Sequence, residues 1–393
     1  MSPISRALST PAALMLLGSC EAEEIPASNA PPPPPTTATV ELRIGTLSGA
    51  EPYIFGRISG VALDETGRIL IADDQADEIR VFSPEGEHLY TFGGSGAGPG
   101  ELSAPCCIAF GPEGDLWVRD GGNARYNRYS LTDSAVNYVD LTRMSHSDVN
   151  FFAPTTFDRK GRLIDIGHSN DPATGAMRMI RFHVDSFGAV ANQDIVHTPP
   201  DDSVGVYKVR SETENGHVTR YLYQPYGPTQ LIAHAPGGGW AEGISSRYRI
   251  AWHHPDGSTQ TIARPAVTSG PELSADERAS AEERMDFYIE QFGVARFPFD
   301  VPENKTPLHA LHFDQLGRLW VELSVPDNQP READVFDAEG THVATVRWPD
   351  NVSLRAIYPA RNVALGIAVD SMGVQRAVRL RLPQADTGLA LAF

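Results

Sequence analysis

The chain has 393 residues, 41% of them apolar, which is ample for a large core. Its 50 acidic and 32 basic residues leave a net charge of −18, spread along the chain rather than gathered in one block. Nucleic-acid binders concentrate basic charge on one face, so this balance argues against a nucleic-acid partner and reads as a solvated acidic surface.

Residues 1–20 read as a targeting segment. Arg6 supplies a thin positive start, and Pro11 to Gly18 is an apolar run far too short to span a bilayer. Leu17-Gly-Ser-Cys20 resembles a bacterial lipobox. That resemblance implies a diacylglycerol on Cys20, which becomes the mature N-terminus and holds the protein to a membrane without a spanning helix. An ordinary secretory signal with an incidental cysteine is the alternative. Residues 21–37 form a linker almost without apolar side chains. Pro31 to Pro35 favour extended polyproline II and set the body, residues 38–393, away from the membrane.

TVELRIGTL (39–47) is a strand with no adjacent partner in sequence. Residues 58–94 then hold four short strands. GVAL and GRILIAD flank the turn Asp64-Glu-Thr-Gly67, and EIRVF and EHLYTF flank Ser83-Pro-Glu-Gly86. A sheet this small cannot bury both faces alone and needs neighbours of its own kind. The first hairpin returns around Gly111-Pro-Glu-Gly114, Asp158-Arg-Lys-Gly161 and Asp314-Gln-Leu-Gly317. Gly67, Gly114 and Gly161 are spaced 47 residues apart, a period of propeller blades. The second hairpin recurs at 183–195, 253–262 and 336–346. The units run 58–94, 102–140, 152–197, 225–264, 307–349 and 352–384, which makes six. The fourth is a weak match, so five or seven remain open. The last unit holds only three strands, and the orphan strand 39–47 is expected to complete it, closing the ring and removing two open edges.

Two long insertions, 198–224 and 265–306, interrupt the rhythm. In the second, Ser274-Ala-Asp-Glu277 is a capping box that opens a helix reaching Phe292. Ala279, Met285, Tyr288, Ile289 and Phe292 are its packing residues. Both insertions join an outer strand to the next inner strand, so they gather on the face where inner strands begin, over the mouth of the central channel. Long loops on a rigid scaffold are where function concentrates. A cover for apolar surface is the purely structural reading.

The first two units resemble NHL repeats in Ser59-Gly-Val-Ala, Leu70-Ile-Ala-Asp73 and Ile79-Arg-Val-Phe82, then in Pro105, Ile108-Ala109 and Trp117-Val-Arg-Asp120. Cys107 departs by standing where the family prefers Gly. Units three to six match only in hairpins and spacing. The chain as a whole resembles six-bladed propeller lipoproteins of the NHL and TolB-like type. The resemblance implies an all-β fold: a six-bladed propeller of four-stranded antiparallel blades, closed by the N-terminal strand, with one inserted helix. It implies no particular function.

The sequence carries no HExxH, no CxxC pair and no GxSxG, and its glycine-rich stretch 93–100 opens no helix. Aligning the hairpin turns places Ser59, Cys106, Ala153 and His309 at equivalent positions near the start of inner strands, with Arg57 and Arg355 at the same level. Arg57, Ser59, Cys106, His309 and Arg355 are therefore the candidates for a ring at the channel mouth, suited to a small anion or a polar peptide group. Cys106 and Cys107 are adjacent in a strand, and alternation points them to opposite faces. They read as two buried small residues, with a vicinal disulfide or reactive thiol as the alternative in an oxidising compartment. His309 and His312, three apart on a strand, are likewise expected to face opposite ways and to chelate poorly. His253 and His254 read as an exposed turn pair. Asp73, Asp74 and Asp120 are candidate ligands for calcium or zinc, although Asp73 and Asp120 serve first as acceptors of backbone N–H groups. No other cofactor is expected.

These features favour a monomeric, non-enzymatic cell-envelope lipoprotein, periplasmic or on the outer surface. It would present the elaborated face to a protein, peptide or small ligand. A metal-dependent lyase or lactonase of the propeller type is the first alternative. An extracytoplasmic sensor or assembly subunit with a membrane partner is the second.

Overall fold

The computed structural model describes residues 23–24, 33–132, 136–143, 156–170, 177–185, 190–196, 203–213 and 216–383. Cys20, the targeting segment, the first prolines of the tract and Ala153 lie outside the described residues. Among the described residues no helix is long and apolar enough to cross a membrane.

Six antiparallel four-stranded blades form the body, as the repeat spacing predicts. Blade 1 is Ile58–Leu63, Ile69–Asp73, Glu78–Phe82 and His88–Gly93. Blade 2 is Pro105–Phe110, Leu116–Asp120, Arg125–Leu131 and Val136–Arg143. Blade 3 is Thr156–Phe157, Leu163–Asn170, Met177–Val184 and Val190–Val196. The weakly matching fourth unit is a full blade: Gln230–His234, Trp240–Ile244, Arg249–His253 and Thr259–Ala263. Blade 5 is Leu308–Phe313, Leu319–Leu323, Arg331–Phe336 and His342–Trp348. Blade 6 draws Val352–Tyr358, Val363–Val369 and Gln375–Arg381 from the end of the chain. Its outer strand is Thr39–Ile44, antiparallel to Gln375–Arg381, so the expected closure is present.

The core is a ring of layers between neighbouring blades rather than one central cluster. Trp320, Val335 and Trp348 of blade 5 meet Leu354, Ala364 and Leu380 of blade 6. Ile44 and Leu365 of blade 6 meet Ile58 and Ile69 of blade 1. Leu70 and Ile79 then meet Leu116 and Val118 of blade 2. Second strands are covered on both faces by this arrangement. Ile69–Asp73 and Leu116–Asp120 are buried at every position, which is why they read as apolar runs instead of alternating.

A recurring clamp fixes the first hairpin of blades 1, 3 and 5. The turn aspartate accepts backbone N–H bonds from the residues two and four ahead, and its second oxygen takes the arginine side chain four ahead. The pairs are Asp64–Arg68, Asp158–Arg162 and Asp314–Arg318. The turn glycines Gly67, Gly161 and Gly317 have φ of +91°, +74° and +78°. That region suits glycine, so the turn and the clamp together set the register of each blade.

Two differences from the sequence reading concern the ends of segments. Thr36–Thr37 lies parallel to the outer strand of blade 5, so the expected linker over 21–37 is already part of the body at its last two residues. The insertion 198–224 carries a two-stranded hairpin of its own, Val206–Thr213 with Gly216–Tyr223. The other insertion holds the expected helix, Ala275–Phe292, with the capping box of Ser274 and Glu277 formed at its start. Met285, Tyr288 and Phe292 pack with Leu222, Val294 and Phe297. Ala281 rather than Ala279 is the buried alanine of the helix, and Ala279 is exposed.

Candidate functional site

Inner strands line the central channel of a propeller. Four of them carry a register break just after they begin. The ladder skips Ser59 between Ile58 and Gly60, His309 between Leu308 and Ala310, and Arg355 between Leu354 and Ala356. In blade 2 it breaks between Cys106 and Ala109. A bulge re-aims the side chain it frees from pairing. The sequence candidates Ser59, Cys106, His309 and Arg355 are thus the bulge residues or their immediate neighbours. Ser59 Oγ donates to the Pro105 carbonyl of blade 2 at 2.6 Å, which ties two bulges together. Arg57 does not join them. Its side chain is 60% exposed and ion-paired with Asp74.

The blade 2 bulge corrects the expectation for its cysteines. Cys107 has φ +55°, a left-handed conformation that a non-glycine residue enters at a cost. Strict alternation ends there, so the two thiols are no longer held to opposite faces. Arg119 Nη1 lies 3.9 Å from Cys107 Sγ. The hydrogen bond from Cys106 does most to draw the Cys107 thiol down to about 7; burial opposes it, and the guanidinium charges of Arg119 and Arg355 act in the same direction as the hydrogen bond. Cys106 moves the other way, because it donates to Cys107 and is itself partly buried. Arg119 is buried and ion-paired with Asp165, which also accepts from the Tyr126 hydroxyl.

The blade 5 bulge corrects the histidine expectation in the same way. One extra residue shifts the phase, so His309 and His312 both approach Glu322 instead of facing apart. Their Nε2 atoms lie 3.9 and 2.9 Å from its carboxylate. Glu322 is 2% exposed and also accepts from Arg331 Nη1 at 2.6 Å. Burial alone would push its carboxyl up. The hydrogen bond from His312 and the charges of His312, His309 and Arg331 outweigh it and hold the group down to about 2.

His309, Arg331 and Lys305 border a cleft of about 480 Å³ on the insertion-bearing face. Its walls are the start of blade 5, the loop 324–329, the start of blade 6 and the segment that leads into blade 4. Neutral hydrogen-bonding side chains are the commonest kind in its lining, among them Gln224, Thr229, Asn328, Gln329 and Asn351. The helix is fastened over one end. Lys305 pairs with Glu277 and donates to the Val325 carbonyl at 2.9 Å, and Ser274 Oγ donates to Asp327 at 3.2 Å. The helix thus covers apolar surface of the insertion hairpin and also bounds the cleft.

The metal candidates are taken up by other donors. Asp73 accepts from the backbone N–H groups of Gly56, Arg57 and Gln75 at 2.9 to 3.2 Å. Asp120 accepts from Ser103 N–H at 2.7 Å and from the Asn123, Arg125 and Asn127 side chains. Asp74 holds Arg57. These residues fit anchoring of loops and not ion binding. Among the described residues no group of three His, Cys, Asp or Glu is placed to hold an ion. His253 and His254 are not an exposed turn pair either. They stack on Trp240 and Trp252 with ring centroids 4.0 and 5.1 Å apart.

Sequence reasoning passed over Arg119 and Glu322. Both occupy the fourth position of a second strand, in LWVRD and LWVEL. A charge inside an otherwise apolar, doubly covered strand must be buried and paired, and that was the available signal.

The sequence matches no protein-family model and no curated protein. Among solved structures, a Bacteroides fragilis protein thought to be exported is 10% identical over 88% of this chain and 96% of its own, with a TM-score of 0.47. A virginiamycin B lyase from Staphylococcus aureus is 12% identical over 92% and 99%, with a TM-score of 0.39. A regucalcin from Agrobacterium tumefaciens, a calcium-binding protein, is 9% identical over 88% and 97%, with a TM-score of 0.36. All three TM-scores lie below 0.5, and none of these likenesses carries a functional assignment to this chain.

Proposed function

We propose that the protein is a non-enzymatic propeller of the cell envelope, tethered by lipid at Cys20 and related to the NHL and TolB-like type. It binds a polar ligand in the cleft bounded by blade 5 and the helix. The tether rests on the lipobox-like Leu17-Gly-Ser-Cys20 and the proline tract that follows it. The observation that carries the binding role is the lining of the cleft. Its volume of about 480 Å³ is that of a small-ligand site, and Gln224, Asn328, Gln329 and Asn351 offer both donors and acceptors. Its cations are already matched, Lys305 with Glu277 and Arg331 with Glu322, and Asp327 and Asp350 add two carboxylate acceptors to the lining. Such a surface recognises amide and hydroxyl groups, so a short peptide segment is the favoured ligand.

The test is thermal unfolding in the presence of a library of short peptides, for the wild-type chain and for Asn328→Ala combined with Asn351→Ala. A ligand present at 100 times its dissociation constant stabilises the fold by about 2.7 kcal/mol, a clear rise in Tm. The expected result is a peptide that raises the wild-type Tm and leaves the variant unmoved. Peptides that raise both equally, or none that raises either, would overturn the proposal.

A further inference from the structure

We propose that Cys106 and Cys107 form a redox-active dithiol at the mouth of the central channel, which one equivalent of a hydroperoxide oxidises to a vicinal disulfide. Three features of the geometry point there. The blade 2 bulge and the positive φ of Cys107 break the alternation of the strand at two adjacent cysteines, so strand geometry no longer keeps their side chains apart. Arg119 Nη1 sits 3.9 Å from Cys107 Sγ, and Arg355 adds a second guanidinium charge from blade 6. Arg119 is itself fixed by Asp165, so its charge is held in place rather than free to swing away. Cationic surroundings of this kind favour a thiolate, and both cysteines are half-buried rather than sealed off. Strain at a non-glycine residue in the left-handed region is also characteristic of functional positions.

The chemistry balances with a hydroperoxide as the oxidant. The Cys107 thiolate attacks one peroxide oxygen, the O–O bond breaks, and the departing oxygen takes up the proton that the thiol gave up. Cys107 is then a sulfenic acid. The Cys106 sulfur displaces hydroxide from it, an S–S bond forms, and the hydroxide leaves as water with the Cys106 proton. With hydrogen peroxide the sum is two thiols oxidised by two electrons and one peroxide reduced to two waters. Adjacent Cα atoms are about 3.8 Å apart, shorter than the usual spacing across a disulfide, so the closed ring is strained and readily reduced again. That suits a reversible couple and not a structural staple.

The experiment uses the full chain with Cys20→Ser, which leaves Cys106 and Cys107 as its cysteines. The reduced protein is exposed to hydrogen peroxide and followed by intact mass and thiol alkylation. The expected product has lost two hydrogens, resists alkylation at both positions and is restored by dithiothreitol. Cys106→Ser should stop at a sulfenic acid on Cys107 that dimedone traps, and Cys107→Ser should react at least about tenfold more slowly. Arg355 has an exposed side chain, so Arg355→Gln should fold normally and slow the first step several-fold, with Arg355→Lys restoring part of the rate. Three outcomes would each overturn the proposal: sulfinic acid in place of the disulfide, equal rates for the two cysteine variants, or thiols no more reactive than those of an unstructured cysteine peptide.

Discussion

Glu322 offers a prediction whose size follows from the structure. Its carboxylate is 2% exposed and held by His312 at 2.9 Å and Arg331 at 2.6 Å, with His309 at 3.9 Å. These partners take its pKa from an ordinary 4.5 to about 2. Each pKa unit is worth about 1.4 kcal/mol, so the charged form contributes about 3 kcal/mol to the folded state. Because the folded pKa is the lower one, the unfolded chain takes up the proton first. The contribution is complete above about pH 4.5 and is lost as the pH falls toward 2. Glu322→Gln keeps the shape and removes the charge, and Arg331 retains a bond to the Asp350 carbonyl at 2.7 Å. Urea unfolding of both proteins should show the variant about 3 kcal/mol less stable at pH 5, with the gap shrinking steadily as the pH falls to about 2.5. Other carboxylates titrate in both proteins and cancel in the difference. A gap that stays constant with pH would refute the reasoning, because the ionised carboxylate would then not be its source.

Three further outcomes are expected. Ile44, 2% exposed in the seam between blades 6 and 1, is the anchor of the closing strand. Ile44→Ala should cost about 2–5 kcal/mol in a urea melt, and a loss within about 0.5 kcal/mol would mean that the ring does not depend on that strand. Asp314 accepts from Trp320 Nε1 at 3.0 Å as well as from Arg318, so Asp314→Ala should cost about 3–5 kcal/mol and more than Asp64→Ala; equal losses would show that the buried tryptophan bond adds no more than the Thr66 hydroxyl bond that Asp64 accepts. Ser274→Ala removes the capping box and should cost about 1 kcal/mol, read as faster amide exchange confined to the helix, whereas exchange spreading into blade 5 would mean that the helix holds the blade.

The fold was readable because its signals are local. Glycines 47 residues apart mark turns that need positive φ, and each turn aspartate finds its arginine four residues on. Ring closure was readable by counting, since Val352–Arg381 supplies three strands and one strand stood unpaired at the other end. The seams between blades were not readable. Arg119 finds Asp165 a full repeat away, and Tyr248 of blade 4 donates to Asp334 of blade 5 at 2.8 Å. Nothing within one repeat announces a partner in the next. The hairpin 206–223 was missed for a related reason. Its side chains at Leu222 and Tyr207 are covered by Val294 and Phe297 of the other insertion, so its stability comes from a segment about 75 residues away.

The candidate site was half legible, and a single assumption accounts for the other half. Period-two alternation predicts that Cys106 and Cys107 diverge and that His309 and His312 diverge, and both predictions fail at a bulge. An odd number of extra residues reverses every side chain beyond it relative to the paired strand, so two residues three apart on either side of a bulge share a face. The positions themselves were found, because turn alignment counts residues from the hairpin and is blind to bulges. Which way they point was not, because a bulge leaves little mark on composition. At Cys107 the backbone shows it directly, as a non-glycine residue held in the left-handed region at φ +55°. Replacing Cys107 by glycine would therefore relieve strain while removing the thiol. A Cys107→Gly variant that is as stable as wild type or more so, yet no longer reacts with peroxide, would separate the conformational cost of the site from its chemistry.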